Sequence, residues 1–347
     1  MSPKPPIFDG HNDALLRLWK GGPSALPHFA NGGPGHVDLP KARKGGFAGG
    51  FFAIFVPGSM AFDLAALQQP TYDIAPPGEL NEAESLKVVI AQASILLKLE
   101  AQGDLRICTS VSDIRSAMDD GILAAVMHIE GAEAIGPDLA ALDVLYAAGL
   151  RSIGPVWSRE TIFGTGVPFR FPSDGDIGPG LTKDGKKLVR KASDLRMVVD
   201  LSHLNEAGFW DVADLGVPLV ATHSNVHALT PLSRNLTDRQ LKAIGETGGI
   251  VGLNFATAFL RPDGQMRPEG ALEWMPKHLA HMIEHAGEDH VTLGSDFDGG
   301  VMPEEIKDVG GLEVLRAAMR DAGFDEPLIE KICWRNWISA LERIWGD

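Results

Sequence analysis

Apolar runs typical of buried β-strands alternate along the chain with amphipathic stretches typical of helices. The predicted strands lie at 7–10, 48–56, 122–129, 151–156, 197–202, 218–222, 249–254 and 291–295. The predicted helices lie at 79–102, 138–148, 183–195, 205–214, 237–247, 270–286, 310–320 and 326–345. Several strands, such as the FFAIFV run at 51–56, are apolar without interruption, which suits strands covered on both faces. Eight such strands with intervening helices predict a (β/α)8 TIM barrel, with an extra short strand near 105–109.

Because this alternation continues from end to end, we expect residues 1–347 to form a single domain. Two segments interrupt it, at 57–78 and 158–180, and both are rich in Gly and Pro. Loops of this length in a compact domain usually act as lids or binding loops. Both segments are therefore predicted to lie near an active site.

Charge and cysteine content narrow the possible partners and the compartment. The 46 acidic and 31 basic residues leave a net charge of −15, which argues against nucleic acid and anionic membranes as partners. Cys108 and Cys333 are too few for a disulfide framework. The sequence shows neither a signal peptide nor an apolar stretch of about 18 residues. We therefore expect a cytoplasmic protein.

Five short stretches each place a His, Asp or Glu at the end of a predicted strand. They are residues 7–13 (IFDGHND), 127–131 (MHIEG), 199–203 (VDLSH), 220–224 (VATHS) and 292–299 (TLGSDFDG). In a TIM barrel, the C-terminal ends of the strands meet at the face that carries the active site. Imidazole and carboxylate are the ligands that zinc takes in catalytic sites. The five stretches together predict a metal-dependent hydrolase.

The spacing of these residues indicates which of them share an ion. His11 and Asp13 are two apart in an extended segment, so they face the same side. His203 and His223 end neighbouring strands, and Glu130 is costly to bury unless it is paired or metal-bound. In the simplest arrangement, His11 and Asp13 bind one zinc ion, His203 and His223 bind a second, and Glu130 bridges the two. A polar turn at 11–13 and hydrogen-bonded core histidines are the alternatives.

Two further residues are candidates for catalysis and substrate binding. Asp296 directly follows the last strand and is predicted to be the general base, with Asp298 in the same turn as its competitor. Arg234 lies in the loop after His223 and could hold a substrate carboxylate bidentately. A surface ion pair with Asp238, four residues on, is an equally good interpretation.

These motifs together resemble the membrane (renal) dipeptidase family of dizinc peptidases. The resemblance rests on residues 8–13, 129–131, 200–203, 223–225, 234–237 and 294–299, and includes Asn336 in a C-terminal helix. It implies a TIM barrel that hydrolyses free dipeptides by a metal-bound hydroxide, including dipeptides with a C-terminal D-residue. It also implies two Zn²⁺ per chain, with the ligand set given above and Glu130 bridging. Asp296 would activate the water, and Arg234 would bind the substrate carboxylate.

The chain departs from that family in two ways. Many members have a substrate-binding His just past the fourth strand, where Trp157 stands here. The indole can donate one hydrogen bond but cannot accept one, so Trp157 is expected to make the pocket more apolar. Arg159 and His128 are the candidates to compensate. The secretion signal and lipid anchor of the eukaryotic members have no counterpart, so the chain resembles a cytoplasmic bacterial relative.

Two other classes of function are compatible with some of these motifs. An amidohydrolase-type lactonase or deaminase typically begins with His-x-His and often bridges its metals through a modified Lys. Here Asp13 and Glu130 stand in those places. A non-catalytic metal-binding protein is the second alternative. A dipeptide is the expected partner, and a homodimer is a candidate assembly.

Overall fold

Eight parallel strands form the centre of the structure, a computed structural model that describes residues 4–58 and 65–346. They are β1 (Ile7–Asn12), β2 (Phe47–Phe55), β3 (Leu123–Glu130), β4 (Leu150–Ile153), β5 (Val198–Val199), β6 (Val220–Ser224), β7 (Ile250–Leu253) and β8 (Val291–Leu293). The extra strand, Leu105–Ile107, pairs with β3. Each of the eight strands overlaps its predicted segment.

Backbone bridges join these strands into a closed barrel. β1 to β5 pair in chain order in one parallel sheet, and β6 to β8 pair in a second. Between the sheets, Asp200 after β5 bridges Val220 in β6, and Asn12 in β1 bridges Phe297 after β8. The Leu201 amide donates to the Val220 carbonyl over 2.8 Å. The predicted (β/α)8 TIM barrel is therefore confirmed.

Side chains that alternate along the strands fill the barrel interior. The inner cluster contains Phe8, Phe51, Val126, Val198, Val220 and Ile250. Their sequence neighbours, such as Ile7 and Met127, pack outward in the larger core. Trp337 of the C-terminal helix joins the inner cluster, and its indole N–H donates to the Leu293 carbonyl over 3.0 Å. Because the interior is packed with side chains, open space for chemistry lies at the strand ends.

Helices cover the outside of the barrel. The longer ones are Ala14–Gly21, Leu39–Gly45, Glu82–Gln102, Val111–Asp119, Ala140–Ala147, Lys183–Asp194, Glu206–Ala213, Asp238–Glu246, Met275–Ala286, Leu312–Asp321 and Asn336–Trp345. Shorter helical segments are Leu26–Asn31, Ala66–Gln68, Thr257–Leu260, Leu272–Trp274, Glu288–His290, Val309–Gly311, Glu326–Glu330 and Lys331–Arg335. Within residues 4–58 and 65–346, no helix is long and apolar enough to cross a membrane.

The two predicted active-site loops meet each other. Tyr72–Ile74 of the first loop pairs antiparallel with Phe169–Phe171 of the second. The second loop also contains a small hairpin, Glu160–Thr161 with Gly164–Thr165. Residues 59–64 of the first loop lie outside the described residues. The paired loops connect to the catalytic face of the barrel through Ser158, whose hydroxyl lies 2.8 Å from His203 Nδ1.

Candidate active site

The five predicted ligand residues come together at the C-terminal ends of the barrel strands. His11 is the second-to-last residue of β1, and Asp13 directly follows the end of that strand. Glu130 ends β3, His203 follows β5, and His223 lies in β6. All five residues are buried, and none is more than 5% exposed. The fold thus gathers into one pocket side chains that are far apart in the sequence.

His11, Asp13 and Glu130 form the first group of donor atoms. His11 Nε2 lies 3.6 Å from Asp13 Oδ2 and 3.8 Å from Glu130 Oε1. These separations are too long for hydrogen bonds. They suit donors arranged around one ion, since zinc bonds to nitrogen and oxygen are about 2.0–2.2 Å long. The three donor atoms all lie within 4.8 Å of one another.

His203, His223 and Glu130 form the second group. The Nε2 atoms of the two histidines are 3.2 Å apart. Glu130 Oε1 lies 2.8 Å from His203 Nε2 and 3.3 Å from His223 Nε2. One carboxylate oxygen therefore faces both groups, an arrangement that suits a two-metal hydrolytic site.

The electrostatics of this cluster fit bound cations. Burial holds the pKa values of His203 and His223 well below the usual range, so both rings are neutral and have a lone pair to donate. Burial also disfavours charge on His11, but attraction to Glu130 and Asp13 outweighs it and raises the pKa of His11 to about 10. Within the described part of the chain, neither ring nitrogen of His11 has a hydrogen-bond partner. A metal cation would offset the negative charge of Glu130 and Asp13 and bind an unpartnered ring nitrogen of His11.

Hydroxyl groups orient two of the histidine rings. Thr222 Oγ1 lies 2.8 Å from His223 Nδ1 and donates to Asp200 Oδ2 over 2.7 Å. Ser158 Oγ lies 2.8 Å from His203 Nδ1. Both contacts engage Nδ1 and leave Nε2 directed at Glu130. Metal-binding histidines usually have such a contact at the ring nitrogen that does not bind the metal, because it fixes the tautomer and the orientation of the ring.

Asp200 supports this arrangement, a role that the sequence interpretation did not assign. Its Oδ1 accepts from the amides of Ser202 and Thr222 over 3.1 and 2.9 Å, and from the Ser202 hydroxyl over 2.6 Å. Burial alone would raise the pKa of Asp200, but His128 and these hydrogen bonds outweigh it and lower the pKa. Asp200 also lies within ligand distance of two of the histidines. Because both of its oxygens already accept hydrogen bonds, Asp200 is a poor metal ligand. It orients His223 through the Thr222 hydroxyl.

His128 lies beneath the cluster and is not positioned to replace a substrate-binding histidine. Its Nδ1 is 2.9 Å from the Ser152 hydroxyl, and its Nε2 is 3.5 Å from Asp200 Oδ2. Burial lowers the pKa of His128 to about 4. The ring is therefore an interior partner of Asp200.

Asp298 faces away from the cluster. Its carboxylate accepts from Arg17 Nε over 2.9 Å and from the His36 amide over 2.7 Å. The Asp298 amide donates to His36 Nδ1 over 2.8 Å. These contacts join the turn after β8 to the segment after β1, so Asp298 has a structural role.

Asp296 is the carboxylate of this turn that faces the cluster. Its Oδ2 accepts from Asn254 Nδ2 over 2.9 Å. Burial, opposed by His11, raises the pKa of Asp296 to about 6. A Cβ atom added to Gly299 would collide with side-chain oxygens of both Asp296 and Asp13. Asp296 thus lies on the side of the cluster formed by His11 and Asp13, where the sequence predicted a general base.

Arg234 is buried against the second group of donor atoms. It is 2% exposed, and its Nε donates to His203 Nδ1 over 3.1 Å. Its Nη atoms donate to Ser224 Oγ and to the His223 carbonyl, each over 3.0 Å. Asp238 instead binds a histidine of a neighbouring helix. The interpretation of Arg234 as a surface ion pair with Asp238 is therefore wrong. Burial lowers the pKa of Arg234 to about 10, so the guanidinium remains charged at neutral pH.

Trp157 lies beside His203. Its ring centroid is 5.7 Å from that of His203 and 5.0 Å from that of Phe55. The Arg159 guanidinium lies 5.0 Å from the indole centroid and 3.3 Å from Glu133 Oε1. This wall of the pocket is therefore aromatic, with a buried ion pair behind it.

Comparison with known proteins places the whole chain in one family. The family model for membrane dipeptidase, peptidase family M19, matches residues 2–345. A crystal structure of a metallo peptidase from Rhodobacter sphaeroides, liganded with a phosphinate mimic of the dipeptide L-Ala-D-Ala, has a TM-score of 0.97 and 51% identity. That likeness covers 99% of this chain and 100% of the Rhodobacter chain.

Two further relatives agree with this placement. The crystal structure of dipeptidase AC, a metallo peptidase of family M19, has a TM-score of 0.97 and 52% identity, with 99% of this chain and 100% of that chain covered. An uncharacterized Klebsiella pneumoniae protein in the pqqA 5′ region is 46% identical over 265 residues, 76% of this chain and 98% of that protein. The chain therefore belongs to the membrane dipeptidase family, peptidase family M19, and is a dipeptidase, as its motifs predicted.

Proposed function

We propose that this dipeptidase uses two Zn²⁺ ions per chain to hydrolyse free dipeptides. His11 and Asp13 would hold one ion, and His203 and His223 the other, with Glu130 shared between them. The position of Glu130 Oε1 carries the proposal, because it lies 3.8 Å from His11 Nε2 and 2.8 Å from His203 Nε2. Imidazole and carboxylate donors at this spacing suit zinc.

In this scheme, protein side chains transfer the proton and set the charge of the site. Zinc, when bound, polarises the scissile carbonyl and lowers the pKa of water. Asp296 accepts a proton from the attacking water at the oxygen that Asn254 leaves free, and returns it to the leaving amine nitrogen. His203 and His223 stay neutral because they are buried.

Arg234 is proposed to bind the C-terminal carboxylate of the dipeptide. A histidine that binds metal through Nε2 carries its proton on Nδ1, so His203 would then donate to Ser158. Arg234 Nε, which donates to that same Nδ1 in this structure, becomes available to another acceptor. A substrate carboxylate matches the guanidinium in charge and shape. Because the Rhodobacter relative binds a mimic of L-Ala-D-Ala, we extend the proposal to dipeptides with a C-terminal D-residue.

Metal content tests the two-ion assignment. Protein loaded with zinc and then desalted should retain close to two equivalents and hydrolyse L-Ala-D-Ala. Glu130→Gln should retain less, because the shared ligand loses its charge while its size is kept. Asp298→Asn is the control, since that carboxylate binds Arg17 and should leave the metal content unchanged. A wild-type stoichiometry at or below one under zinc-replete conditions would contradict a bridging Glu130.

The nature of Trp157 leads to a prediction about substrate preference. An aromatic wall in place of an imidazole should favour small or apolar dipeptides over acidic ones. We expect a higher kcat/KM for Ala-Ala than for Glu-Glu, and Trp157→His should narrow that difference. Steady-state kinetics on the two substrates measure this directly. Equal kcat/KM values for wild type would remove the basis for the prediction.

Family membership separates this proposal from its alternatives. A lactonase, a deaminase and a non-catalytic metal-binding protein were compatible with some of the motifs, but the matched family is one of dipeptidases. A panel of dipeptides, lactones and nucleobases with zinc-loaded protein checks the same point. The single domain, the cytoplasmic location and the homodimer remain predictions.

A further inference from the structure

A second cluster of metal-ligand side chains lies on the outside of the barrel. Asp238 is the first residue of the helix Asp238–Glu246, and His281 and His285 belong to Met275–Ala286. The two helices pack against each other. One donor atom from each of the three residues lies within 4.8 Å of the other two. None of these residues belongs to the active site described above.

The geometry directs both imidazoles at one carboxylate. His281 and His285 are four positions apart on a helix, so their side chains lie on the same face. Their ring centroids are 4.5 Å apart. His281 Nε2 lies 2.7 Å from Asp238 Oδ1, and His285 Nε2 lies 3.7 Å from Asp238 Oδ2. Two nitrogen donors and both oxygens of one carboxylate thus face a common point.

A single hydrogen bond explains only part of this arrangement. The contact between His281 and Asp238 is an ordinary hydrogen bond, but the separation from His285 is too long for one. It is within the range expected for two ligands of one ion. The side chains of Asp238, His281 and His285 are 47%, 20% and 29% exposed, so solvent can reach the cluster. Three protein ligands and one water would complete a tetrahedral zinc site.

We propose that Asp238, His281 and His285 bind a further divalent metal ion, of the class that prefers imidazole and carboxylate, such as Zn²⁺. The ion would replace the hydrogen bond between His281 and Asp238 and connect the two helices. Asp238 lies four residues after Arg234, so the ion would also anchor the end of the loop that carries Arg234. The proposal is independent of the ligands assigned in the barrel, because the two sites share no residue.

Zinc titration of active-site-loaded protein tests this site. Wild type and His285→Ala are each loaded with zinc, desalted until about two equivalents remain, so that the solvent-exposed site is empty, and then titrated with Zn²⁺ by calorimetry. We expect wild type to bind one more equivalent than the variant. With Zn²⁺ at about 100 times the dissociation constant, the Tm of wild type should rise by roughly 3 °C, and that of the variant should not change. His285→Ala keeps the hydrogen bond between His281 and Asp238, so its fold should be preserved.

Two controls make the outcome decisive. His28→Ala removes an exposed histidine from another helix and should titrate like wild type, which excludes unspecific binding to imidazole. His285→Gln keeps the side-chain size and should behave like His285→Ala. Equal stoichiometry and equal Tm shifts in wild type and both His285 variants would overturn the proposal. The cluster would then be a surface hydrogen bond with a neighbouring histidine.

Discussion

Replacing Asp296 with Asn is expected to lower kcat by about 10²-fold or more. Asn has nearly the same shape as Asp and can still accept the hydrogen bond from Asn254. It cannot take up a proton from the attacking water, so only the chemical step should suffer. Metal content should be nearly unchanged, because Asp296 is proposed to be a base and not a ligand. Steady-state kinetics together with metal analysis of the desalted protein measure both quantities.

Asp298→Asn provides the matched control for this variant. It makes the same chemical change two residues further along the same turn. Its carboxylate binds Arg17 and the His36 amide, so the substitution should lower the free energy of unfolding and have little effect on kcat. If Asp296→Asn loses its metal, Asp296 is a ligand. Equal losses of kcat in the two variants would mean that kcat depends on the structure of this turn and not on a general base at position 296.

The burial of several carboxylates at one cluster favours the binding of cations there. Asp13, Glu130 and Asp296 all lie at one cluster and are buried or nearly so. Arg234 is a permanent cation near them. Uncompensated buried charges cost several kcal/mol each, and pairing recovers that cost only when the geometry is good. The two proposed dications would reverse the sign of the site and so offset the cost of burying these carboxylates.

The fold was predictable because its signals are local and repeated. Largely apolar strands such as β2 and β3 are buried almost throughout, as expected for strands covered on both faces. The prediction was less accurate for β5, expected at 197–202 but ending at Val199. Asp200 explains the difference, because its side chain takes the amides of Ser202 and Thr222. Such side-chain contacts compete with strand pairing, and the pattern of hydrophobic residues does not reveal them. The helix Val111–Asp119 was missed, although its capping box at Ser110 and Asp113 is a readable signal.

The candidate site was predictable only in part. The ligand-type residues end apolar runs, and the barrel brings such ends together, so His11 and His223 could be linked without a structure. Ser158 lies in a predicted loop, where no spacing connects it to His203. Asn254 ends the strand predicted at 249–254, but no motif or spacing connects it to Asp296. Asp200 directly follows the apolar pair Val198 and Val199 and belongs to the 199–203 motif. This position could have indicated that Asp200 has a role in the site. Its role as a support for His223 depends on hydrogen bonds across two strands, and only the folded structure shows those.

Amidation of the C-terminus of a good dipeptide is expected to lower kcat/KM of wild type by about 10- to 100-fold. The proposed metal ions would polarise a scissile carbonyl, which every peptide has, so selection of dipeptides needs a second anchor. Arg234 is charged, buried and adjacent to His203, and it is the proposed anchor. A charge-assisted hydrogen bond contributes about 1.5–3 kcal/mol, which corresponds to the expected loss. A longer peptide would place an amide where the carboxylate belongs and leave the guanidinium without its partner.

The same pair of substrates identifies Arg234 as the group responsible. Arg234→Ala should lose activity on the free acid but little more on the amide, since the contact is already absent. Arg234→Lys should fall between, because it keeps the charge but not the planar fork that binds both oxygens. Metal content of each variant must be measured alongside, since Arg234 also donates to His203 Nδ1. If wild type hydrolyses the amide as fast as the free acid, the carboxylate is not recognised. The role of Arg234 would then be to hold His203 and the loop after β6 in place.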